Sequence, residues 1–444
     1  MLPGRTWSRG VRLGGSWPGA DGPLGTTVGS GRLDAASAVQ RLSPDQLLQE
    51  LCGVEDLLIV QDLDGVCMQL VNDPLTRQMD GAYVMAAGQL GDTFAVLTNG
   101  EHEGRRGVNR LVEKALSADH DPAQAGLYLR GLAAGGVQFQ DRYGQLSHPG
   151  VSEAEIAFLA AAPLRMEALL KDGLPEIFPL HSLEQIAQLA HAAVLDTQVS
   201  PTVNLNGIFA AIPEDVEKQR MMQTLLQRLM ETLLADAEKQ GLEGSFFLHV
   251  APNLGRNADG MERLKPAVQG DVGTTDIQFM LSGSIKEAGL LVLLNQYMAR
   301  RYGEVPFGDD FNVRVAPQTH DALLKLVQDR IPAERMPLLV GVGDTVTSNP
   351  SADGATWLRG GSDRGFLTLL PALGAWSGRE NRVVVVDSSH GEVDRPSLSD
   401  PALTGISDPE DPLRLDVLMT AGPKQYINWF CQLAAQRSPS PATI

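Results

Sequence analysis

Four short apolar runs, each followed at once by a polar cluster, constrain the fold of this chain more than any other feature. The runs are "DLLIV", "TFAVL", "MPLLVGV" and "RVVVV", and the clusters after them begin at Asp62, Thr98, Asp344 and Asp387. Helical patterns such as "GRRGVNRLVEKAL" and "SIKEAGLLVLLNQYMARRYG" lie between them. Strands that alternate with helices predict an α/β fold with a parallel sheet covered on both faces. Ligands of such sheets bind outside the carboxyl ends of the strands, where all four clusters fall.

The remaining segments predict how the chain is divided. Residues 1–40 are rich in glycine and carry no helix or strand period, so we expect a disordered or extended start. Residues 41–118 and 271–436 carry the strand–helix alternation and are predicted to form the catalytic core. Residues 119–270 mix long amphipathic helices with alternating strands, which indicates an inserted α+β cap. Residues 437–444 read as a loose tail.

Charge and cysteine content exclude several classes of function. The chain has 36 basic and 54 acidic side chains, a net charge of −18, and therefore no general basic surface for nucleic acid or anionic membranes. Its three cysteines are far apart, which favours a reducing, cytoplasmic setting over a disulfide framework. We find no apolar run of about 18 residues that would span a membrane.

The stretch "LLIVQDLDGVCMQLV" puts two carboxylates, Asp62 and Asp64, at the end of a buried strand. Such a pair is either a solvated turn or a site for a cation, because close carboxylates repel each other. An aspartate can attack phosphorus, a second carboxyl can transfer protons, and Mg²⁺ suits a site made of carboxylate and phosphate oxygens. Thr98 and Lys286 could hold phosphate oxygens. Taken singly, Thr98 could also be a helix cap and Lys286 a solvated lysine.

Four motifs in this order, "DLDGV", "LTNG", "SIKEAG" and "GVGDTVTSN", resemble those of the haloacid-dehalogenase superfamily of phosphohydrolases. The resemblance implies a Rossmann-like parallel-sheet core with an inserted cap. It also implies that Asp62 is the nucleophile and Asp64 the general acid and base.

The same resemblance implies roles for the other motif residues. Thr98, Asn99 and Lys286 would bind the phosphate. Mg²⁺ would be held by the Asp62 side chain, the Asp64 backbone carbonyl and the Asp344 side chain.

Longer stretches, "QDLDGVCMQLVNDPL", "VLTNGEHEG" and "GVGDTVTSNP", are similar to the cyanobacterial glucosylglycerol-phosphate phosphatases within that superfamily. This similarity implies hydrolysis of glucosylglycerol 3-phosphate, the last step in making a compatible solute under salt stress, and a synthase as a possible partner. Phosphates of sucrose, trehalose or mannosylglycerate remain alternative substrates. A regulator that binds a sugar phosphate without catalysis is the alternative from another functional class, and the presence of both motif-one aspartates argues against it.

One position departs from the superfamily pattern. Relatives often carry a second aspartate four residues after the aspartate of the last motif, and Ser348 stands there in this chain. Asn349, Asp353 or Asp363 could supply the missing support for the metal, and the sequence does not choose among them.

Overall fold

The computed structural model describes residues 41–117, 120–195, 197–257, 261–351 and 354–437. The expected disordered start at 1–40 lies outside the described residues, as does the tail beyond Arg437. The strands are β1 (Leu57–Gln61), β2 (Phe94–Leu97), β3 (Gly131–Ala133), β4 (Gln138–Gln140), β5 (Leu146–Ser147), β6 (Val194–Leu195), β7 (Thr202–Asn204), β8 (Phe246–Ala251), β9 (Asn253–Arg256), β10 (Glu262–Leu264), β11 (Asp276–Leu281), β12 (Leu338–Gly343), β13 (Thr347–Pro350), β14 (Trp357–Gly360), β15 (Arg382–Val386) and β16 (Val417–Met419). The helices are α1 (Pro44–Cys52), α2 (Gly81–Leu90), α3 (Val108–Ala115), α4 (Pro122–Ala125), α5 (Glu153–Ile177), α6 (Leu183–Ala193), α7 (Asn206–Ala210), α8 (Val216–Lys239), α9 (Lys286–Tyr302), α10 (His320–Arg330), α11 (Arg364–Ser377) and α12 (Pro423–Arg437).

An eight-stranded sheet forms the core, in the order β16-β15-β12-β1-β2-β3-β4-β5. The pairs from β16 through β3 are parallel, and β4 and β5 extend the edge in antiparallel fashion. The predicted α/β fold with a parallel-sheet core is therefore confirmed. All four apolar runs of the sequence are strands of this sheet, and their carboxyl ends lie at the same edge.

Both faces of the sheet are buried, which explains why its strands are continuously apolar. Along β1, Leu58 and Val60 pack in one hydrophobic cluster, while Leu57 and Ile59 pack in a second cluster on the opposite face. This division follows from the two-residue period of a strand. Helices α9 and α11 cover the first face, and α1, α2 and α12 cover the second.

Local sequence signals set several helix starts. Ser43 accepts a hydrogen bond from the Gln46 amide at the start of α1, in a reciprocal capping box. Ser152 and Glu155 form the expected capping box at the start of α5. The stretch "PTVNLNGIFAAI", in contrast, is strand β7 only as far as Asn204, because its second half forms α7.

The boundaries predicted for the cap do not coincide with the boundaries of the sheets. Strands β3, β4 and β5 (131–147) fall inside the predicted cap and yet belong to the core sheet. Strand β11 lies beyond residue 270 and yet joins the second sheet, whose order is β6-β7-β11-β8. We therefore define the insert as residues 153–281. Residues from Arg41 onward form one compact unit, in which the insert shares a hydrophobic cluster with the core.

Candidate active site

The carboxylate of Asp62 lies directly beyond β1 and is almost fully buried. Its backbone amide donates to the Val342 carbonyl at 2.9 Å, which continues the pairing between β1 and β12. Its Oδ1 accepts from the Leu63 amide at 2.8 Å, and its Oδ2 lies 2.7 Å from Lys286 Nζ. The side chain is thus held at the open end of the sheet by one backbone donor and one cation.

Asp363 connects three parts of the site. Its Oδ1 accepts from Lys286 Nζ at 2.6 Å, and its Oδ2 accepts from the amides of Asp344 and Thr345 at 3.0 and 2.9 Å. Asp363 has no exposed surface and stands immediately before α11. It therefore fixes the backbone after β12 and the position of the lysine at the same time.

The Asp344 carboxylate is only half satisfied by the protein. Its Oδ1 accepts from Thr345 Oγ1 at 2.8 Å, while its Oδ2 is buried and has no hydrogen-bond partner among the described residues. Gly65, at φ +76°, passes so close that a Cβ there would lie 2.1 Å from Asp344 Oδ2. A glycine is needed at this position for both reasons.

Asp62, Asp344 and Asp363 each offer an oxygen within 4.8 Å of the other two, which meets the geometric requirement for a shared cation. Burial raises the pKa of Asp62 to about 7, against the opposing charge of Lys286. Burial, followed by the charges of Asp363 and Asp62, raises the pKa of Asp344 to about 8. A divalent cation would relieve this repulsion, and carboxylate oxygens are the ligands that Mg²⁺ prefers. The residues present therefore fit Mg²⁺.

Lys286 is the first residue of α9, and its ammonium group forms ion pairs with the carboxylates of Asp62 and Asp363. Burial alone would lower the pKa of its ammonium, but the ion pairs with Asp363 and Asp62 raise that pKa well above its ordinary value. The lysine is therefore charged at every physiological pH.

Asp64 lies outside the carboxylate cluster and faces a different partner. Arg77 Nη1 donates to both oxygens of its carboxylate, at 3.0 Å to Oδ1 and 2.8 Å to Oδ2. Arg77 Nη2 also donates to the Arg106 carbonyl. The prediction that Asp64 contributes its backbone carbonyl to a metal concerns a different atom from the carboxylate that Arg77 holds.

Thr98 and Asn99 follow β2, at the same edge of the sheet as Asp62. Thr98 Oγ1 accepts from the Gly100 amide at 3.2 Å. Asn99 Nδ2 lies 3.1 Å from Nε2 of His249, whose Nδ1 lies 2.8 Å from Glu262. A cavity of 210 Å³ is lined by five of the six residues that the sequence predicts for the site: Asp62, Asp64, Thr98, Asn99 and Asp344. Lys286 lines a neighbouring cavity of 320 Å³ and reaches the first through its contact with Asp62.

The second sheet forms the other wall of the 210 Å³ cavity. Alternate residues of three strands face it: Thr202 and Asn204 on β7, Asp276 and Gln278 on β11, and His249 on β8. The register sets Asp276 beside Asn204, and Gln278 beside Thr202 and His249. Gln278 Oε1 is buried and has no hydrogen-bond partner within the described part of the chain. This wall presents hydroxyl, amide, carboxyl and imidazole groups, which suits a ligand rich in hydroxyl groups.

Sequence reasoning missed Arg77, His249 and Glu262, because nothing in their local sequence distinguishes them from surface or core residues. Among the alternatives for the position of Ser348, the structure brings Asp363 to the carboxylate cluster. Ser348 itself donates to Asp408, and Asn349 lies in β13. Asp353 lies outside the described residues.

Within the described residues, no helix is both long enough and apolar enough to cross a bilayer.

Comparisons with known proteins identify the family of this chain. The model of the glucosylglycerol-phosphate phosphatase family matches residues 56–434. A glucosylglycerol-phosphate phosphatase of Synechocystis sp. is 46% identical over 411 residues, which cover 90% of this chain and 97% of that protein. Two solved structures are more distant. The C-terminal domain of trehalose-6-phosphate phosphatase from C. albicans is 12% identical, with a TM-score of 0.40 over 89% of this chain and 97% of that one. A haloacid dehalogenase-like hydrolase from B. subtilis is 12% identical, with a TM-score of 0.32 over 84% and 98%.

Proposed function

Because the chain belongs to the glucosylglycerol-phosphate phosphatase family, we propose that it hydrolyses glucosylglycerol 3-phosphate through an aspartyl-phosphate intermediate. The observation that carries this proposal is the buried cluster of Asp62, Asp344 and Asp363 around Lys286, at the floor of a cavity whose opposite wall is polar. A phosphate group needs positive charge on the floor, which Lys286 and a bound divalent cation would supply, and a sugar needs hydrogen-bonding groups on the wall.

In the first half of the reaction, an Asp62 carboxylate oxygen attacks phosphorus. The bond between phosphorus and the glycerol oxygen breaks, and the Asp64 carboxyl gives its proton to the departing oxygen. In the second half, water attacks phosphorus and gives a proton to Asp64. The bond between Asp62 and phosphorus breaks, which releases inorganic phosphate and restores both carboxyl groups.

The contacts of Asp62 suit its proposed role. The Leu63 amide and Lys286 fix both Asp62 oxygens, which limits the orientations from which the carboxylate can attack. Arg77 holds the Asp64 carboxylate against the wall of the cavity. Thr98, Asn99 and Lys286 would contact the phosphate oxygens.

Mg²⁺ would be held by the side chains of Asp62 and Asp344 and by the Asp64 backbone carbonyl. Asp363 would support the site through its bonds to Lys286 and to the backbone amide of Asp344. When bound, Mg²⁺ would neutralise the carboxylates so that a phosphate dianion can approach them. The unpartnered Oδ2 of Asp344 is the observation that supports this assignment.

The wall formed by the insert supports a glycosyl phosphate as the substrate. A site built to bind hydroxyl groups rejects analogues that lack them, because its own buried polar groups then stay unpaired. We therefore expect a strong preference for glucosylglycerol 3-phosphate over glycerol 3-phosphate. A phosphate-release assay with the phosphates of glucosylglycerol, sucrose, trehalose, mannosylglycerate and glycerol, with Mg²⁺ and with excess chelator, tests this. Similar kcat/KM values for all five esters would contradict the specific substrate.

We further propose a cytoplasmic setting, in which the product serves as a compatible solute in salt tolerance and a synthase supplies the substrate. The three cysteines, Cys52, Cys67 and Cys431, are all free thiols, which supports a reducing compartment. Co-purification of the chain with the synthase activity under salt stress would test the partnership.

A further inference from the structure

The long segment between β15 and β16 carries an arginine into the active-site cavity. This arginine, Arg395, lines both the 210 Å³ cavity with the aspartates and an adjoining cavity of 590 Å³ between the insert and the core. None of the four sequence motifs contains it.

The backbone around Arg395 is fixed on both sides. Before it, the Glu392 amide donates to the Leu70 carbonyl at 2.8 Å, and the Glu392 carboxylate accepts from the Asn72 amide at 2.9 Å. After it, Asp387 Oδ2 accepts from the Leu398 amide and from Ser397 Oγ, both at 2.9 Å. The arginine is therefore directed into the cavity by a segment anchored at both ends.

The guanidinium of Arg395 is unlike the other cations of the site. Lys286 is paired with two carboxylates and Arg77 with one, whereas Arg395 has no carboxylate within 4.0 Å among the described residues. Its Nη1 donates to the neighbouring Asp394 carbonyl at 3.3 Å. Among the described residues its Nε has no hydrogen-bond partner, which leaves the Nε–H donor of this cavity-lining side chain unused.

Acidic groups surround this cation without contacting it. The charge of Arg395 acts on the carboxylates of Asp344 in the core and of Asp271 and Asp276 in the insert. Arg395 is only partly buried, and its guanidinium can present two parallel N–H donors that match the spacing of two oxygens of a phosphate. The Arg395 guanidinium is therefore positioned to bind an anionic ligand in the cavity.

We propose that Arg395 is a catalytic residue that binds two non-bridging oxygens of the substrate's phosphoryl group and stabilises their charge in the transition state. The inference rests on the proposed phosphatase function and adds a phosphate-binding group to it. Lys286 pairs with Asp62 and Asp363 and lines the neighbouring 320 Å³ cavity, whereas Arg395 lines the 210 Å³ cavity itself, so Arg395 would add positive charge to that supplied by Lys286.

The test compares Arg395→Ala and Arg395→Lys in the full chain with Arg263→Ala, which removes an exposed arginine of β10. The substrates are glucosylglycerol 3-phosphate and p-nitrophenyl phosphate, a small ester without a sugar. We expect Arg395→Ala to lower kcat/KM roughly 100- to 1000-fold for both esters. Arg395→Lys should recover part of the loss, because it keeps the charge and loses the two-donor edge. Arg263→Ala should leave both reactions unchanged.

Binding of inorganic phosphate in the presence of Mg²⁺, measured by calorimetry, gives a readout that does not depend on turnover. We expect Arg395→Ala to weaken this binding about tenfold or more. A loss confined to the sugar phosphate would overturn the proposal, because Arg395 would then contact the sugar. Unchanged phosphate binding in a folded Arg395→Lys or Arg395→Ala variant would overturn it as well. If the wild type hydrolyses p-nitrophenyl phosphate but not the sugar phosphate, the proposed substrate fails while the role of Arg395 is still tested.

Discussion

The most informative single substitution for the connection between core and insert is Glu101→Gln. Glu101 follows the second motif and is buried, and its carboxylate accepts four hydrogen bonds from the insert. Oε2 accepts from the Gln198 amide at 2.8 Å. Oε1 accepts from the Val199 and Ser200 amides, both at 2.8 Å, and from Ser200 Oγ at 2.9 Å.

The magnitude follows from the groups that glutamine can still satisfy. A glutamine oxygen at the position of Oε1 keeps three of the bonds, but its NH₂ group then faces the Gln198 amide and leaves that donor unpaired. An unpaired buried donor costs about 1–3 kcal/mol, and each bond that changes from a charged to a neutral acceptor loses about 1 kcal/mol. Burial raises the pKa of Glu101, so removing the charge also relieves a desolvation penalty. We therefore expect the free energy of unfolding to fall by at least the cost of the unpaired donor, about 1–3 kcal/mol.

Urea denaturation measures the loss in unfolding free energy, and amide hydrogen exchange at residues 198–200 locates it. The matched control is Glu103→Gln, which makes the same change at an exposed side chain two residues away and should stay within about 0.5 kcal/mol of wild type. If Glu101→Gln is as stable as the control and its amides exchange no faster, the carboxylate does not hold the insert and the reasoning is wrong.

Four further outcomes are expected. Asp62→Asn should abolish phosphate release while its melting temperature stays close to that of wild type, since the amide has nearly the same size but cannot attack; near-normal turnover would refute the nucleophile. Asp344→Ala should raise the Mg²⁺ concentration needed for half-maximal activity, and full wild-type activity in excess chelator would exclude the metal. Gly65→Ala should destabilise the fold and lower activity in parallel, because its Cβ would lie 2.1 Å from Asp344 Oδ2; unchanged kinetics would show that the loop can yield. Burial lowers the pKa of His102 from 6.5 to about 4, so the unfolded state binds more protons between these values. Stability should therefore fall by about 3 kcal/mol as pH decreases through that window, and urea denaturation of His102→Gln should show a smaller pH dependence.

The convergence of the motif residues could be predicted from the sequence for a simple reason. Asp62, Thr98 and Asp344 each follow an apolar run, and the carboxyl ends of parallel strands meet at one edge of a sheet. The sequence does not give the order of the strands in the sheet, but the carboxyl ends of parallel strands lie at the same edge whatever their order. Lys286 required a different signal, the motif at the start of α9, because it belongs to a helix and not to a strand end.

The supporting contacts could not be predicted, because they depend on distances between segments far apart in the chain. Asp363 lies 77 residues from Lys286 and 19 from Asp344, and no periodicity links them. Arg77 meets Asp64 through a loop whose path has no sequence signal. The predicted start of the cap at residue 119 differs from the boundary of the core sheet, because β3, β4 and β5 are too short to show a clear strand period in the sequence.

The contacts between insert and core suggest that the position of the insert and the assembly of the active site are coupled. Glu101 holds residues 198–200, Asn99 meets His249, and Thr347 Oγ1 donates to the Asn253 carbonyl at 3.1 Å. The core residues of all three contacts lie within four positions of a motif residue, so a shift of the insert would act on the segments that carry Thr98 and Asp344. A ligand that touches both walls of the cavity binds more tightly when the insert is docked on the core than when it is displaced. The difference in binding free energy between the two arrangements is the amount by which the ligand stabilises the docked one. A small phosphate ester that touches only the floor gains none of this stabilisation. The disadvantage of such an ester should therefore appear in kcat as well as in KM, because binding energy from the sugar contributes to assembling the site.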